Sequence, residues 1–589
     1  MMREFRFQNL ILAAMMGLVI WAFVQVDAPF VLGLGAGIVT AAALVAWRRA
    51  EVRSTADTTP PGLFPFDLSR NRALALLALL LIVSFAVRFH GLTRLIAWAD
   101  EMWTLRNFYT SDLGTLLHVA FEDYWPPLHY LILNAVTRVT DTSLFWMRLP
   151  SVVFGSLTVI AMYLVGRELF RNRLAALLGA ALLAGMTVHV LYSQEARVYA
   201  MHTFLTVLSA WLFYRSFWQR RISPAFLIVT TLLTYSHSFA SWYFIAAQCV
   251  YVAVAGFLWK DRKAFAKGFQ SQLLVLLLWM PLVAAFVWTR FSREIVVPTY
   301  WGTGQETPLG LVDVVLQYQA LAVRSWAGAA FLLLAYLLSL VPLLRRRESR
   351  GSVDETGPDA NFEFAKVFVF LFSWATVPLV FSFVVTAATT LDTFGSARYH
   401  LTALPALCLL AVAGMAVVKS RPALAAVGLI VLLLPSAQLA RHFREFEIDR
   451  PAMDEAAEIV LTNGDDSEPI YVQNGFRAFA YYHRGEFPAI GSPRFEDRAA
   501  RYGHLTDVRT VDTGKRGDTY AYEKFNPRIK FAGFYIWSRP DPFDEFVREE
   551  LDRGGFTGQY WLVLEEPGDE EFRGALDRAG VVCEPADTF

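Results

Sequence analysis

Asp100 and Glu101 stand side by side in WADEMW, and a Pro126-Pro127-Leu128 turn follows in DYWPPLHYL. Carboxylates held beside apolar surface at a membrane interface suit proton transfer. An acidic pair heading a surface helix would serve equally as a cap, so the flanks decide. Trp98 and Trp103 anchor the pair at headgroup depth, and the Pro-Pro turn breaks the chain before a second interfacial helix. A second polar turn, YSQEARVYA, places Glu195 and Arg197 between two apolar runs with almost no loop. A guanidinium offers parallel donors and stays charged, which suits Arg197 to a phosphate; an ion pair with Glu195 or a lipid-headgroup contact would use the same groups. His237 in TYSHSFASW, Arg398 and Tyr399 in SARYHLTALPAL, and Arg290 lie at ends of further apolar runs on the same side. A lone His beside Ser is more often structural, and its leaflet makes His237 a candidate for substrate binding. Asp100, Glu101 and Glu195 are hard oxygen ligands fit for Mg²⁺ or Mn²⁺. They form no spaced ligand motif, so no cofactor is expected to be required, and a divalent cation ranks second.

The elements that position these groups are membrane spans. Of 589 residues, 55% are hydrophobic and only 18% charged, and mean hydropathy is +0.38, a balance foreign to soluble domains of this size. Apolar stretches near the length of a bilayer crossing recur at 9–26, 30–47, 72–89, 148–166, 174–192, 198–217, 223–240, 242–259, 269–288, 322–344, 365–388, 399–418 and 421–439. These predict about 13 spans. Arg and Lys cluster in every second loop, among them Arg48 and Arg49, Arg167 to Arg173, Arg215 to Arg221, Lys260 to Lys267 and Arg345 to Arg347. Such loops are cytoplasmic, so the Asp100 segment and the tail face the periplasm or exterior of an inner (plasma) membrane. The expected organisation is a transmembrane hairpin (1–48), a Pro- and Thr-rich cytoplasmic linker (49–71), a transmembrane catalytic region (72–440) and a small extracytoplasmic α/β domain (441–589). Interfacial helices fill the first long outer loop, where LHYLILNAVTRV is apolar along one helical face. Cys249 and Cys408 lie in apolar runs and Cys583 outside them, so no disulfide framework is expected. The 53 basic and 53 acidic residues balance, which gives no reason to expect nucleic acid as a partner.

The order DE, PPL, RLPSVVFGSLTVIAMYLVGRELF, SQEAR, YSHS and ARYHLTALPAL resembles the GT-C membrane glycosyltransferases of the protein O-mannosyltransferase and lipid A aminoarabinose transferase group, over roughly residues 72–440. That resemblance implies a GT-C fold and a sugar donor linked to polyprenyl phosphate, dolichyl or undecaprenyl, used at the outer leaflet. The Asp of the DE pair then acts as general base, a role that maps onto Asp100, with Glu101 as its orienting neighbour. Arg197, with Arg398, Arg290 and Tyr399, would hold the donor phosphate. Where many relatives carry His or Lys before the two prolines this chain has Trp125, so Asp123, Tyr124 or His129 are the substrate-binding substitutes, beside Glu195 and His237. The acceptor would be a hydroxyl of a protein, lipid or glycan. A polytopic transporter and a non-catalytic envelope assembly protein are the rival classes; a transporter would gather ionisable residues at mid-depth and show related halves, which this sequence does not.

Overall fold

The computed structural model describes residues 66–93, 99–108, 113–122, 125–292, 360–388, 397–415 and 453–464, three short strands, residues 569–582 and scattered single positions. The candidate spans at 9–26 and 30–47 and more than half of each of those at 322–344 and 421–439 lie outside the described residues, as do Asp123, Tyr124 and Trp98. The protein divides into two compact units, one comprising Met1–Arg94, Arg148–Ala284 and Gln305–Phe446, the other Leu95–Met147, Ala285–Gly304 and Glu447–Phe589.

The first unit is a helical membrane bundle. Its long helices are α1 (Arg70–Phe89), α5 (Leu144–Phe170), α8 (Tyr199–Trp218), α10 (Ser238–Trp259), α11 (Arg262–Ser292) and α12 (Ala360–Ala388). Among the described residues, five helical stretches are long and apolar enough to cross a membrane, or six with a bent pair. That pair is α6 (Arg173–Gly185) and α7 (Thr187–Ser193), which meet at 63° where 174–192 had predicted one span. The break falls at Met186, whose extended backbone ends the hydrogen-bonded ladder. The 223–240 stretch likewise holds only the eleven-residue α9 (Pro224–Thr234), started by Pro224 after the Ser223 cap and stopped before His237. The span expected at 399–418 contains α13 (Ala397–His400) and the twelve-residue α14 (Leu404–Met415), every residue of which is buried. A helix apolar all round belongs inside a bundle, and α14 packs between α6 and α12. By contrast the span Arg262–Val287 buries only 22% of its apolar window in protein, leaving its surface for lipid.

One end of this bundle is tied by charge. Arg173 pairs with Asp67 at 2.9 Å, and Arg220 with Asp261 at 2.9 Å. Lys366 lies 4.2 Å over the Trp218 ring. These residues come from segments that the charge pattern assigns to one side of the membrane, and their contacts place helix ends from separate segments together.

The second unit begins with three ten-residue helices, α2 (Ala99–Phe108), α3 (Leu113–Glu122) and α4 (Leu128–Thr137), packed on one another. None is long enough to cross a hydrocarbon core. Pro127 caps α4, which turns His129, Tyr130, Leu133, Asn134 and Thr137 inward on one face. Asn134 Nδ2 donates to the Phe108 carbonyl at 2.8 Å, joining α4 to the end of α2. Further along are α15 (Met453–Asn463), strands β1 (Ile470–Val472), β2 (Ile529–Phe531) and β3 (Trp561–Val563), and α16 (Asp569–Arg578). The strands form a parallel sheet in the order β2-β1-β3, with Ile470 opposite both Ile529 and Trp561. Parallel neighbours require crossovers, which matches the strand and helix alternation of the tail.

Candidate active site

In the second unit, Asp100 and Glu101 both occupy the first turn of α2, where the helix dipole favours carboxylates. Successive helical residues point about 100° apart, and the two acids meet different surroundings. Glu101 is fully buried beside Met102, Thr104 and Leu105, while Asp100 remains half-buried. The Asp100 carbonyl accepts from Thr104 Oγ1 at 3.0 Å, and just upstream the Ala97 amide donates to the Tyr482 hydroxyl at 2.6 Å. His129 lies on the inward face of α4, its ring 6.3 Å from Tyr130.

In the first unit, helix ends gather a separate polar cluster. Arg197 follows α7 in the short turn before α8 and is 4% exposed. Its guanidinium lies 5.7 Å from the Tyr199 ring, and its carbonyl accepts from Ser151 Oγ on α5 at 3.1 Å. The Tyr199 ring is 5.9 Å from that of His237, and His237 lies 5.7 Å edge-on to Tyr399. Arg398 stands 5.3 Å over Tyr399. Four residues singled out from sequence are thus brought together: Arg197, His237, Arg398 and Tyr399. Glu195, also buried, sits in the same turn as Arg197. The Arg290 side chain lies outside the described residues, so only its place near the end of α11 is known.

The turn that carries Glu195 and Arg197 is held from behind by residues the motifs did not single out. Arg88, fully buried in the last turn of α1, donates to Ser193 Oγ at 3.2 Å, His189 Nδ1 at 2.7 Å and Ser84 Oγ at 2.6 Å. Gln194 returns the tie by donating to the carbonyls of Arg88 at 3.1 Å and His90 at 2.8 Å. Gly155 on α5 lets the helices close here, because a Cβ would strike Ser193 Oγ and come within 3.1 Å of Arg88 Nε. Ser193 and Gln194 belong to the SQEAR turn, whereas Arg88 is signalled only by its place at the end of an apolar run, which reads the same as an interfacial anchor.

The cluster offers cations, phenols and imidazoles in a buried setting, a donor set for an oxyanion. Among the described residues no group of three or more His, Cys, Asp or Glu side chains is arranged to hold a metal ion. Glu195 lies in the bundle unit, whereas Asp100 and Glu101 belong to the other.

Residues 125–289 match the family described as dolichyl-phosphate-mannose-protein mannosyltransferase. Among solved structures the chain is similar to ArnT from Cupriavidus metallidurans bound to undecaprenyl phosphate, with 13% identity and a TM-score of 0.46 over 72% of this chain and 86% of that one. It is similar also to ArnT from Cupriavidus metallidurans in the apo state, with 13% identity and a TM-score of 0.46 over 71% and 85% of the two chains. No curated protein matches. The matched segment holds the Pro-Pro turn, the SQEAR turn and His237, while Asp100 and Arg398 lie outside it. Across that segment the chain carries the pattern of the dolichyl-phosphate-mannose-protein mannosyltransferases, the group that its ordered motifs resemble.

Proposed function

We propose that this protein is an inverting membrane glycosyltransferase, taking a sugar from a polyprenyl phosphate and passing it to an acceptor hydroxyl of a protein, lipid or glycan at the outer face. The observation that carries this reading is the convergence of Arg197 and Arg398 on His237 across Tyr199 and Tyr399, at buried helix ends in an apolar bundle. The donor is a phosphodiester with one negative charge. In the transfer, the acceptor oxygen bonds to the anomeric carbon, the bond from that carbon to the phosphate oxygen breaks, and its electron pair stays on the lipid phosphate. The leaving group therefore gains a charge, which Arg197 and Arg398 stabilise. Asp100 takes the acceptor proton, a role resting on its place in the DE pair. Its half-buried position leaves it open to a substrate in a way that the buried Glu101 is not.

Ser241, whose hydroxyl donates to the His237 carbonyl, adjoins Trp242 and Leu276, apolar side chains exposed on the bundle surface along which the isoprenoid would lie. No step in this scheme needs a metal, and we place metal independence with the proposal.

The test is release of polyprenyl phosphate from polyprenyl-phosphate-linked sugars by the purified protein with an acceptor extract. Arg197→Gln and Arg398→Gln should each raise the donor KM and lower kcat. Unchanged kinetics in both variants, with the protein intact, would reject the phosphate assignment.

A further inference from the structure

His202 belongs to the same cluster although no motif pointed to it. It lies on α8 within one turn of Tyr199, is 2% exposed, and its ring centre is 5.3 Å from that of His237. One ring nitrogen is engaged: Nδ1 lies 2.9 Å from Ser236 Oγ. The other, Nε2, is buried without a hydrogen-bond partner among the described residues. Buried polar atoms are nearly always satisfied, and an unsatisfied one works against folding. A nitrogen kept in that state is explained by a group that the folded chain does not itself supply.

The neighbours say what kind of group. The His202 ring lies against that of His237, and the guanidinium groups of Arg197 and Arg398 lie over Tyr199 and Tyr399, which both contact His237. Cations and hydrogen-bond donors together fit an anion with several oxygens. We propose that His202 Nε2 is a further contact to the phosphate of the lipid-linked donor, a proposal that rests on the donor reading above. Ser236 Oγ lies within reach of both His202 Nδ1 and the Leu233 carbonyl, and Ser241 Oγ also donates to that carbonyl at 2.8 Å. In the arrangement where Ser241 serves Leu233, the Ser236 hydroxyl donates to Nδ1, so that the neutral ring carries its proton on Nε2 and donates it to a phosphate oxygen. When the bond between sugar and phosphate oxygen breaks, the lipid phosphate passes from one negative charge to two. An N–H already aimed at that oxygen stabilises the change without reorganisation.

The experiment uses the full-length protein in detergent micelles, with a polyprenyl monophosphate as probe. His202→Leu should weaken its binding about tenfold, the size expected for one hydrogen bond to a charged group. His202→Gln, whose amide nitrogen reaches near the Nε2 position, should restore binding to within about threefold. Both variants lose the Nδ1 contact to Ser236, so any drop in ligand-free melting temperature should be shared by the two, whereas only the Gln variant regains binding. Two results would overturn the proposal: a folded Leu variant that binds normally, or a Gln variant no better than Leu. Arg197→Gln separates this from failure of the wider reading. If that variant also binds the probe normally, the phosphate site itself is wrong; if it binds weakly while His202→Leu binds normally, only the His202 contact is.

Discussion

Asp100 and Glu101 are neighbours in sequence whose fates diverge on one helical turn, so a substitution at each reports something different. Asp100→Asn removes a base without changing side-chain size, and should lower turnover about 100- to 10,000-fold while the melting temperature holds. Full activity in that variant would end the assignment. Gly155→Val tests the network behind the SQEAR turn. Its added side chain meets Ser193 and Arg88, and the overpacking should cost about 1–3 kcal/mol, read as a lower melting temperature in detergent.

At the level of elements, two contacts carry consequences. Asp261 starts α11, accepting from the Ala264 amide at 3.0 Å and pairing with Arg220. The Ala264 hydrogen bond, followed by the Arg220 bond and charge, holds its carboxyl below the usual carboxylate range. A carboxyl lowered by folding adds stability above its unfolded pKa and loses it as pH falls through the folded value. Asp261→Ala should therefore cost about 1 kcal/mol near neutrality, the usual worth of an N-cap. The difference from the unmodified protein should vanish in acid, in thermal melts run across that range. In the second unit, Tyr482 accepts from the Ala97 amide just before the acid-bearing helix. Tyr482→Phe frees that amide and should lower kcat several-fold with little change in donor KM, since the lost contact bears on the proposed base and not on the phosphate cluster.

For the whole molecule, enzyme and transporter differ in what happens to the sugar. Vesicles reconstituted with the protein should release polyprenyl phosphate only when acceptor is present, and should not accumulate free sugar; accumulation without acceptor would favour transport. Turnover should persist in EDTA, and activity lost to EDTA and restored by Mg²⁺ or Mn²⁺ would install the carboxylates as metal ligands instead.

Hydropathy and the alternation of Arg- and Lys-rich loops declared a polytopic helical membrane protein, because crossing hydrocarbon demands long apolar runs whatever the packing. Motif order declared the family resemblance, and residue types nominated Arg197, His237, Arg398 and Tyr399. Hydropathy could not show that 174–192 is bent at Met186, or that 399–418 shelters a short interior helix, since protein and lipid are equally apolar surroundings. Nor could it separate Glu101 from Asp100, or find Arg88, His189 and His202. Their significance lies in contacts between residues as far apart as Arg88 and Ser193, which exist only once helix ends are packed together. Local sequence sets which residues reach a membrane surface; tertiary structure alone decides which of them meet, because burial and partnership arise from the packed neighbours.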